Sequence, residues 1–187
     1  MSSSQPQFQS MPIGVVLRRT PGVTRWAKWA WRAESVLPGA APAQWKLLRE
    51  IGGSAEFHIG TVQLDLHAAD SEGYLAGLAD SEPSVYVVLR QSGHPEQPYQ
   101  IALVTASPFE AQDYCDNGDD VVEKVPMPAG LIAWVRAFAQ ANYEDTPFVK
   151  RRRDRKDVDG VENGVGDARI TQLTDVYRAP SRKGGAS

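Results

Sequence analysis

Apolar and polar side chains alternate along several short stretches of the chain, which is the pattern of β-strands with one buried face. The clearest alternation runs from Lys28 to Leu37. Its predicted inward side chains are Trp29, Trp31, Ala33 and Leu37, and its outward ones are Lys28, Arg32 and Glu34. Pro38 ends this strand, because proline cannot donate to a strand ladder. A second strand is predicted over residues 45–51.

The apolar residues between Phe57 and Leu66 predict a β-hairpin. If Gly60 and Thr61 form a two-residue loop, Ile59 lies opposite Val62 and every apolar side chain falls on one face. The other face carries His58, Gln63, Asp65 and His67, and it is expected to face water.

Two later stretches predict further strands. Val85–Leu89 is apolar on both faces, which is typical of the central strand of a sheet. Tyr99–Thr105 is its predicted partner.

Three helices complete the prediction. Helical spacing predicts one over Asp70–Leu78, and Ser107 with Pro108 predicts the start of another that continues to about Tyr114. The third covers about Pro128–Tyr143. Its apolar stripe is Leu131, Trp134, Val135 and Phe138. Consecutive strands with inserted helices favour an α+β fold, with an antiparallel sheet or partial barrel of about six to seven strands, short helices and a C-terminal amphipathic helix.

Composition divides the chain into three predicted regions. Residues 1–11 are a polar, disordered leader, residues 12–149 form a single α+β domain, and residues 150–187 are a basic, largely disordered tail. The net charge of -3 hides a contrast, because residues 1–149 hold 10 Lys/Arg and 17 Asp/Glu whereas the tail holds 10 and 6. The body is therefore acidic at -7 and the tail basic at +4.

Several classes of protein are excluded by these patterns. The longest apolar runs, Ile13–Leu17 and Val85–Leu89, are far shorter than the roughly 18 residues of a membrane-spanning helix. No basic segment precedes an apolar stretch as in a secretory signal, so a cytoplasmic location is expected. Cys115 is the only cysteine and cannot form an internal disulfide.

Three clusters are candidates for chemistry. The tryptophans Trp26, Trp29, Trp31 and Trp45 could stack bases, but the predicted alternation places Lys28 and Arg32 on the opposite face, which favours core packing. His58 and His67, with Asp65 and Glu56, could hold a divalent metal, although no third ligand has a fixed spacing and surface histidines are the expected interpretation. No metal site and no cofactor are predicted.

Six carboxylates lie within fourteen residues. They are Glu110, Asp113, Asp116, Asp119, Asp120 and Glu123. A calcium loop counted from Asp113 has Lys124 where the twelfth-position glutamate belongs, so a solvated surface or a docking patch for a basic partner is expected instead. Cys115 has no predicted neighbouring base that would make it a nucleophile.

The most unusual feature is the basic run from Lys150 to Lys156. Its cations are Lys150, Arg151, Arg152, Arg153, Arg155 and Lys156, and they are the predicted partner-binding residues. Such a run can contact nucleic-acid phosphates, an anionic membrane surface or an acidic protein. The residues alone leave these partners open.

Several segments resemble a bacterial domain-of-unknown-function family. They are Pro12–Val16, Trp31–Gly39, Ser84–Arg90, Val125–Pro128 and Phe148–Asp154. Genes of this family commonly neighbour those of molybdenum-dependent formate dehydrogenases and their maturation factors. The resemblance therefore implies an accessory or assembly role near that enzyme.

Some members of the family carry the label of molybdopterin-guanine dinucleotide biosynthesis, which would imply a nucleotidyltransferase. That enzyme class has a glycine-rich nucleotide loop near its start, followed by Arg and Lys. The corresponding region here is Gly14–Arg19, which has one glycine and no strand-loop-helix pattern.

The leading hypothesis is a non-catalytic accessory or assembly protein that binds a formate dehydrogenase subunit or maturation factor. The alternatives are nucleic-acid binding through the basic tail and an enzyme of molybdopterin-guanine dinucleotide biosynthesis. No catalytic residue is predicted.

Overall fold

The computed structural model of the chain describes residues 6–143. This range contains seven β-strands and three α-helices. In chain order they are β1 (Phe8–Pro21), β2 (Trp29–Pro38), β3 (Lys46–Ile51), β4 (Ser54–His67), α1 (Ser71–Leu78), β5 (Ser84–Gln91), β6 (Tyr99–Thr105), α2 (Pro108–Asn117), β7 (Asp120–Pro126) and α3 (Ala129–Asn142). A single 3₁₀ turn, Ala68–Asp70, leads into α1.

The strands form two antiparallel sheets. The four-stranded sheet has the order β2-β1-β4-β3 and the three-stranded sheet the order β6-β5-β7. β4 runs beside β6, and β2 runs beside β7, without a continuous ladder between the sheets. The predicted α+β class is confirmed, β5 is the central strand of the three-stranded sheet, and the strands of residues 6–143 do not close into a barrel.

The core lies between the two sheets and the helix α3. The middle of β1, Ile13–Leu17, is almost entirely inaccessible to water. Leu64 and Leu66 of the neighbouring strand β4 and buried residues of β5 belong to the same core cluster. The predicted α3 stripe is confirmed, with Leu131, Val135 and Phe138 buried and Trp134 half-buried. Each buried aliphatic side chain contributes about 1.5–3 kcal/mol to stability.

β4 is one continuous strand, so the predicted hairpin at Gly60 and Thr61 is wrong. β1 pairs with β4 on both sides of this point, and the register changes from Val16–His58 to Val15–Gly60. The extra residue, Ile59, makes a β-bulge that keeps the apolar side chains before and after it on the same face. A two-residue loop and a one-residue bulge both place Ile59 and Val62 on the same face. The structure has the bulge, because β1 pairs with β4 on both sides of Ile59.

A second bulge changes the predicted face of β2. Pairing moves from Val16–Ser35 to Leu17–Ala33, which leaves Glu34 without an opposite residue. The alternation shifts by one residue beyond this point. Val36 is consequently buried, whereas Leu37, the predicted core residue, is only half-buried.

The ordered sheet begins earlier than predicted. β1 starts at Phe8 rather than at Pro12, because its first residues pair with the end of β4. The Ser10 hydroxyl lies 2.6 Å from an Asp65 carboxylate oxygen, and the Phe8 ring packs 5.1 Å from the His67 ring. These contacts pair the polar residues at the start of β1 with a partner strand.

Gly14 offers a sharp test of the packing between β1 and β4. A Cβ at this position would lie 2.6 Å from His58 Nε2 and 2.9 Å from Ala40 Cβ. We expect Gly14→Ala to lower the free energy of unfolding by about 1–3 kcal/mol, because the buried neighbours must move. Urea denaturation measures this change.

The matched control is Gly130→Ala in α3, where an added Cβ meets no atom within 4 Å. Alanine favours a helix over glycine, so this variant should be neutral or slightly stabilised. Equal unfolding midpoints for the two variants would contradict the close packing at Gly14.

Candidate functional site

One end of the four-stranded sheet extends beyond the core. We call it the wing and define it as residues 18–32, which include the end of β1 and the start of β2, and residues 46–57, which include β3 and the start of β4. β1 leaves the core at Arg18, and all six residues of β3 are exposed. Within the wing, Trp31 and Phe57 pack against the core cluster, and the outer residues are stabilised by contacts between the strands of the wing.

One face of the wing, together with Trp45 just before β3, carries an aromatic cluster. The ring centroids of Trp31, Trp45 and Phe57 lie 5.4–6.0 Å apart. Trp45 adopts a positive φ of 46°, a conformation that is unfavourable for a bulky residue. Its ring packs edge-on against Trp31, which compensates for part of this cost.

Arg19 places a cation within this cluster. Its guanidinium carbon lies 4.2 Å from the ring centroid of Trp29 and 5.3 Å from that of Phe57. Residues paired across neighbouring strands share a face, and Arg19 pairs with Trp31. The alternation of β2 therefore does not separate the aromatic rings from every cation, because β1 supplies Arg19 to the aromatic face. This guanidinium occupies ring faces that a stacked base would need.

The predicted core packing is confirmed for Trp31 and Trp45, which contact the core cluster. It is wrong for Trp26, whose surface is 93% exposed in the connection between β1 and β2. This connection lies between two strand ends that project beyond the core, so nothing is positioned to cover the ring. Lys28 Nζ also lies on the aromatic side, 5.7 Å from the Trp29 ring centroid.

The other face of the wing is held by ion pairs around Glu56. Arg49 contacts this carboxylate at 2.6 Å and Arg18 at 2.8 Å, while Arg18 also contacts Glu34 at 2.8 Å. The hydrogen bonds from Arg49 and then Arg18 lower the pKa of Glu56 below its usual 4.5. The same pairing raises the pKa of Arg49. Three strands are thereby joined through one largely buried carboxylate.

The wing concentrates the exposed apolar side chains of the described range. Five of the nine large exposed ones lie there, namely Val23, Trp26, Leu47, Leu48 and Ile51. Sequence reasoning predicted a strand over 45–51 but not this surface. The available signal was the absence of alternation in Lys46–Ile51, where two adjacent leucines lie between charged residues, as in a strand without a buried face.

Charge is also separated between the wing and the rest of residues 6–143. The wing has seven Lys/Arg and two Asp/Glu, a net charge of +5. The remaining described residues have three Lys/Arg and thirteen Asp/Glu, a net charge of -10. The folded part of the chain therefore has its own basic end, which the average over residues 1–149 conceals.

The histidine cluster considered for a metal does not form. His58 and His67 lie nine residues apart on β4, a distance of about 30 Å along an extended strand. His58 is 6% exposed, so the prediction that it faces water is wrong. The connection between β2 and β3 covers it, and Thr61 Oγ1 lies 2.9 Å from its Nε2. Within residues 6–143 no three metal-binding side chains converge.

The six clustered carboxylates are spread over α2, β7 and the turn between them. Asp120 binds Arg90 through two hydrogen bonds of 2.8 and 2.9 Å, which lower the pKa of Asp120. Glu110 and Asp113 instead line a groove of about 430 Å³ between α1 and α2, together with Asp70 and Glu72. The carboxylates therefore do not form one calcium-binding loop. Cys115 is exposed on α2.

The predicted partner-binding residues lie outside the described range. They are Lys150, Arg151, Arg152, Arg153, Arg155 and Lys156. Among the described helices, none has the length and apolar character needed to cross a bilayer.

The chain was compared with models of known protein families. The family model described as "Protein of unknown function (DUF3305)" matches residues 12–152. No curated protein and no solved structure matches the chain significantly.

The ion pairs of the wing predict a pH-dependent contribution to stability. A carboxylate with a lowered pKa stabilises the fold above its usual pKa, and this contribution is lost as the pH falls through the lowered value. We expect Glu56→Gln to reduce the free energy of unfolding by about 1–2 kcal/mol at neutral pH. The difference from the wild type should shrink below pH 4.5.

Urea denaturation at a series of pH values measures both effects. Glu96→Gln is the matched control, because Glu96 is exposed in the loop after β5 and forms no salt bridge within residues 6–143. A Glu56→Gln deficit that persists unchanged in acid would show that the charge of Glu56 is not its cause.

Proposed function

We propose a function from the premise that this chain belongs to the DUF3305 family of proteins of unknown function. In this proposal, the protein is a non-catalytic accessory protein of the cytoplasm. It binds another protein through β3, the outer strand of the wing. The partner is a subunit or a maturation factor of a molybdenum-dependent formate dehydrogenase.

The observation that carries this proposal is the exposure of β3. Leu47, Leu48 and Ile51 are 43–68% exposed on a strand with no buried residue. Isolated apolar residues are normal at a protein surface, but an edge strand that exposes three within six residues, with Leu47 on one face of the sheet and Ile51 on the other, is typical of a strand that a partner covers. The lateral edge of β3 is also the edge of the sheet. A bulge at Leu48 and the charges of Lys46 and Arg49 discourage indiscriminate strand pairing there.

The position of Gly14 favours an accessory role over a nucleotidyltransferase. A phosphate-binding loop needs backbone N–H groups that point at the ligand. Gly14 instead lies within β1 and is paired with Leu37 on one side and Thr61 on the other. The segment Gly14–Arg19 is a strand flanked by strands, so it offers no cradle for a phosphate.

The identity of the partner rests on the family resemblance, since genes of similar proteins commonly lie beside those of formate dehydrogenase and its maturation factors. The wing adds a physical requirement to this proposal. Its net charge of +5 favours a partner surface that combines apolar side chains with acidic ones.

A pull-down from the native host grown on formate tests the proposal. Tagged full-length protein should recover a formate dehydrogenase subunit or one of its maturation factors. The double substitution Leu48→Ser/Ile51→Ser should weaken this binding about tenfold or more, because two apolar contacts are lost. Quantitative mass spectrometry of the recovered proteins provides the measurement.

Val121→Ser is the matched control, because Val121 is an exposed apolar residue on β7, in the other sheet and outside the residues that define the wing. It should retain the partner, and circular dichroism should show that all variants are folded. Recovery of neither partner class would contradict the proposed partner, while equal recovery by both variants would contradict the role of β3.

A further inference from the structure

The connection between β1 and β2 projects two apolar side chains almost completely into solvent. We call residues 22–28 the tip. Val23 is 98% exposed and Trp26 is 93% exposed, the largest values among the exposed apolar residues of the described range. They lie at the end of a hairpin whose strands have already left the core.

The tip is a defined turn. The Gly22 amide donates to the Lys28 carbonyl at 3.0 Å, and the Ala27 amide donates to the Thr24 carbonyl at 3.3 Å. A Cβ at Gly22 would lie only 1.7 Å from the Ala27 carbonyl oxygen, so this close approach requires glycine. The backbone therefore fixes the two apolar side chains at the end of the hairpin.

Cations lie close to these side chains in the sequence. Arg25 and Lys28 lie within the tip, and Arg32 follows on β2; all three are exposed. None of them forms a salt bridge with a carboxylate of residues 6–143. No acidic residue occurs between Arg18 and Ala33. The positive charge of the tip is thus available to an external anion.

We propose that the tip is a peripheral anchor for a bilayer surface that carries anionic lipid headgroups. Tryptophan favours the interface between headgroups and acyl chains, because its ring is largely apolar while its N–H can still be hydrated. Arg25 and Lys28 can extend to the headgroups from the same turn. Anionic lipids attract such cations within a short distance of the membrane surface.

The shape of the tip favours a bilayer over a protein. A stable protein interface buries about 800 Å² on each partner around a packed centre. A seven-residue turn with two projecting side chains is convex and offers little area, and its side chains would need matching pockets. A bilayer accepts projecting apolar side chains without a preformed pocket. The anchor uses residues other than those of β3. A result that contradicts the anchor would therefore not contradict the proposed function.

Vesicle sedimentation with the full-length chain tests the anchor. Wild-type protein should sediment with vesicles of phosphatidylcholine and phosphatidylglycerol but not with phosphatidylcholine alone, and high salt should weaken the binding. Arg25→Gln/Lys28→Gln should reduce the partition coefficient by about fivefold per cation. Val23→Ser/Trp26→Ser should reduce it about tenfold or more.

The matched control variants remove side chains of the same type at positions outside the tip. Phe109→Ser removes an exposed aromatic ring of α2, and Arg136→Gln removes an exposed cation of α3. Both should bind vesicles like the wild type. Insertion itself is measured with brominated acyl chains, which should quench wild-type fluorescence more than that of Trp26→Phe, a variant expected to keep its binding.

The basic run of the tail, residues 150–156, could bind anionic lipids instead of the tip. Arg151→Gln/Arg152→Gln/Arg153→Gln in the full-length chain removes half of its six cations. Vesicle binding that both tip variants leave unchanged would overturn the anchor, whatever the tail variant does. Absence of binding to anionic vesicles would also overturn it, and loss of a captured acidic protein from the tip variants would then assign the tip to a protein interface.

Discussion

The pairing of β1 with β4 is the constraint on which the rest of the structure depends. The ladder runs from Phe8 and His67 to Arg19 and Ala55, and it is longer than the core that covers it. Its middle carries the buried residues Ile13–Leu17, which position β5 and α3. Its far end carries the wing out of the core. A single ladder thus supports both the buried part of the domain and its exposed surface, because strand pairing continues where the second layer stops.

The wing replaces burial with specific contacts between side chains. Arg19 lies over Trp29 and Phe57 on one face, and Glu56 joins Arg18 and Arg49 on the other. These contacts use the inner aromatic rings and the central carboxylate for stability, which leaves the outer strand and the tip available for partners. The separation of +5 on the wing from -10 on the rest of the described residues also orients the domain toward anionic surfaces.

Features that depend on local sequence were predicted well. The Ser107 cap, whose side chain accepts from the Glu110 amide, and the apolar stripe of α3 follow from spacing over a few residues. The candidate site was predicted only in part. The alternation of β2 predicts that its tryptophans face the core, but Arg19 reaches them from another strand. No pattern within β2 reveals a neighbour supplied by β1. Likewise, the burial of His58 depends on Ala40 and Ala41, which fold over it from the connection between β2 and β3.

The sequence by itself determined that the apolar side chains of β4 lie on one face. Ile59 and Val62 had to lie on the same side, and either a two-residue loop or a one-residue bulge meets that requirement. The tertiary structure decided between them, because β1 is long enough to pair with both halves and a loop would have broken that ladder. The alternation of β2 similarly predicted an inward face, but only the bulge at Glu34 decided that Val36, not Leu37, enters the core. The sequence also determined that Leu47 and Leu48 are apolar, yet their exposure was decided by the extent of the second sheet, since burial requires a layer that local sequence does not encode.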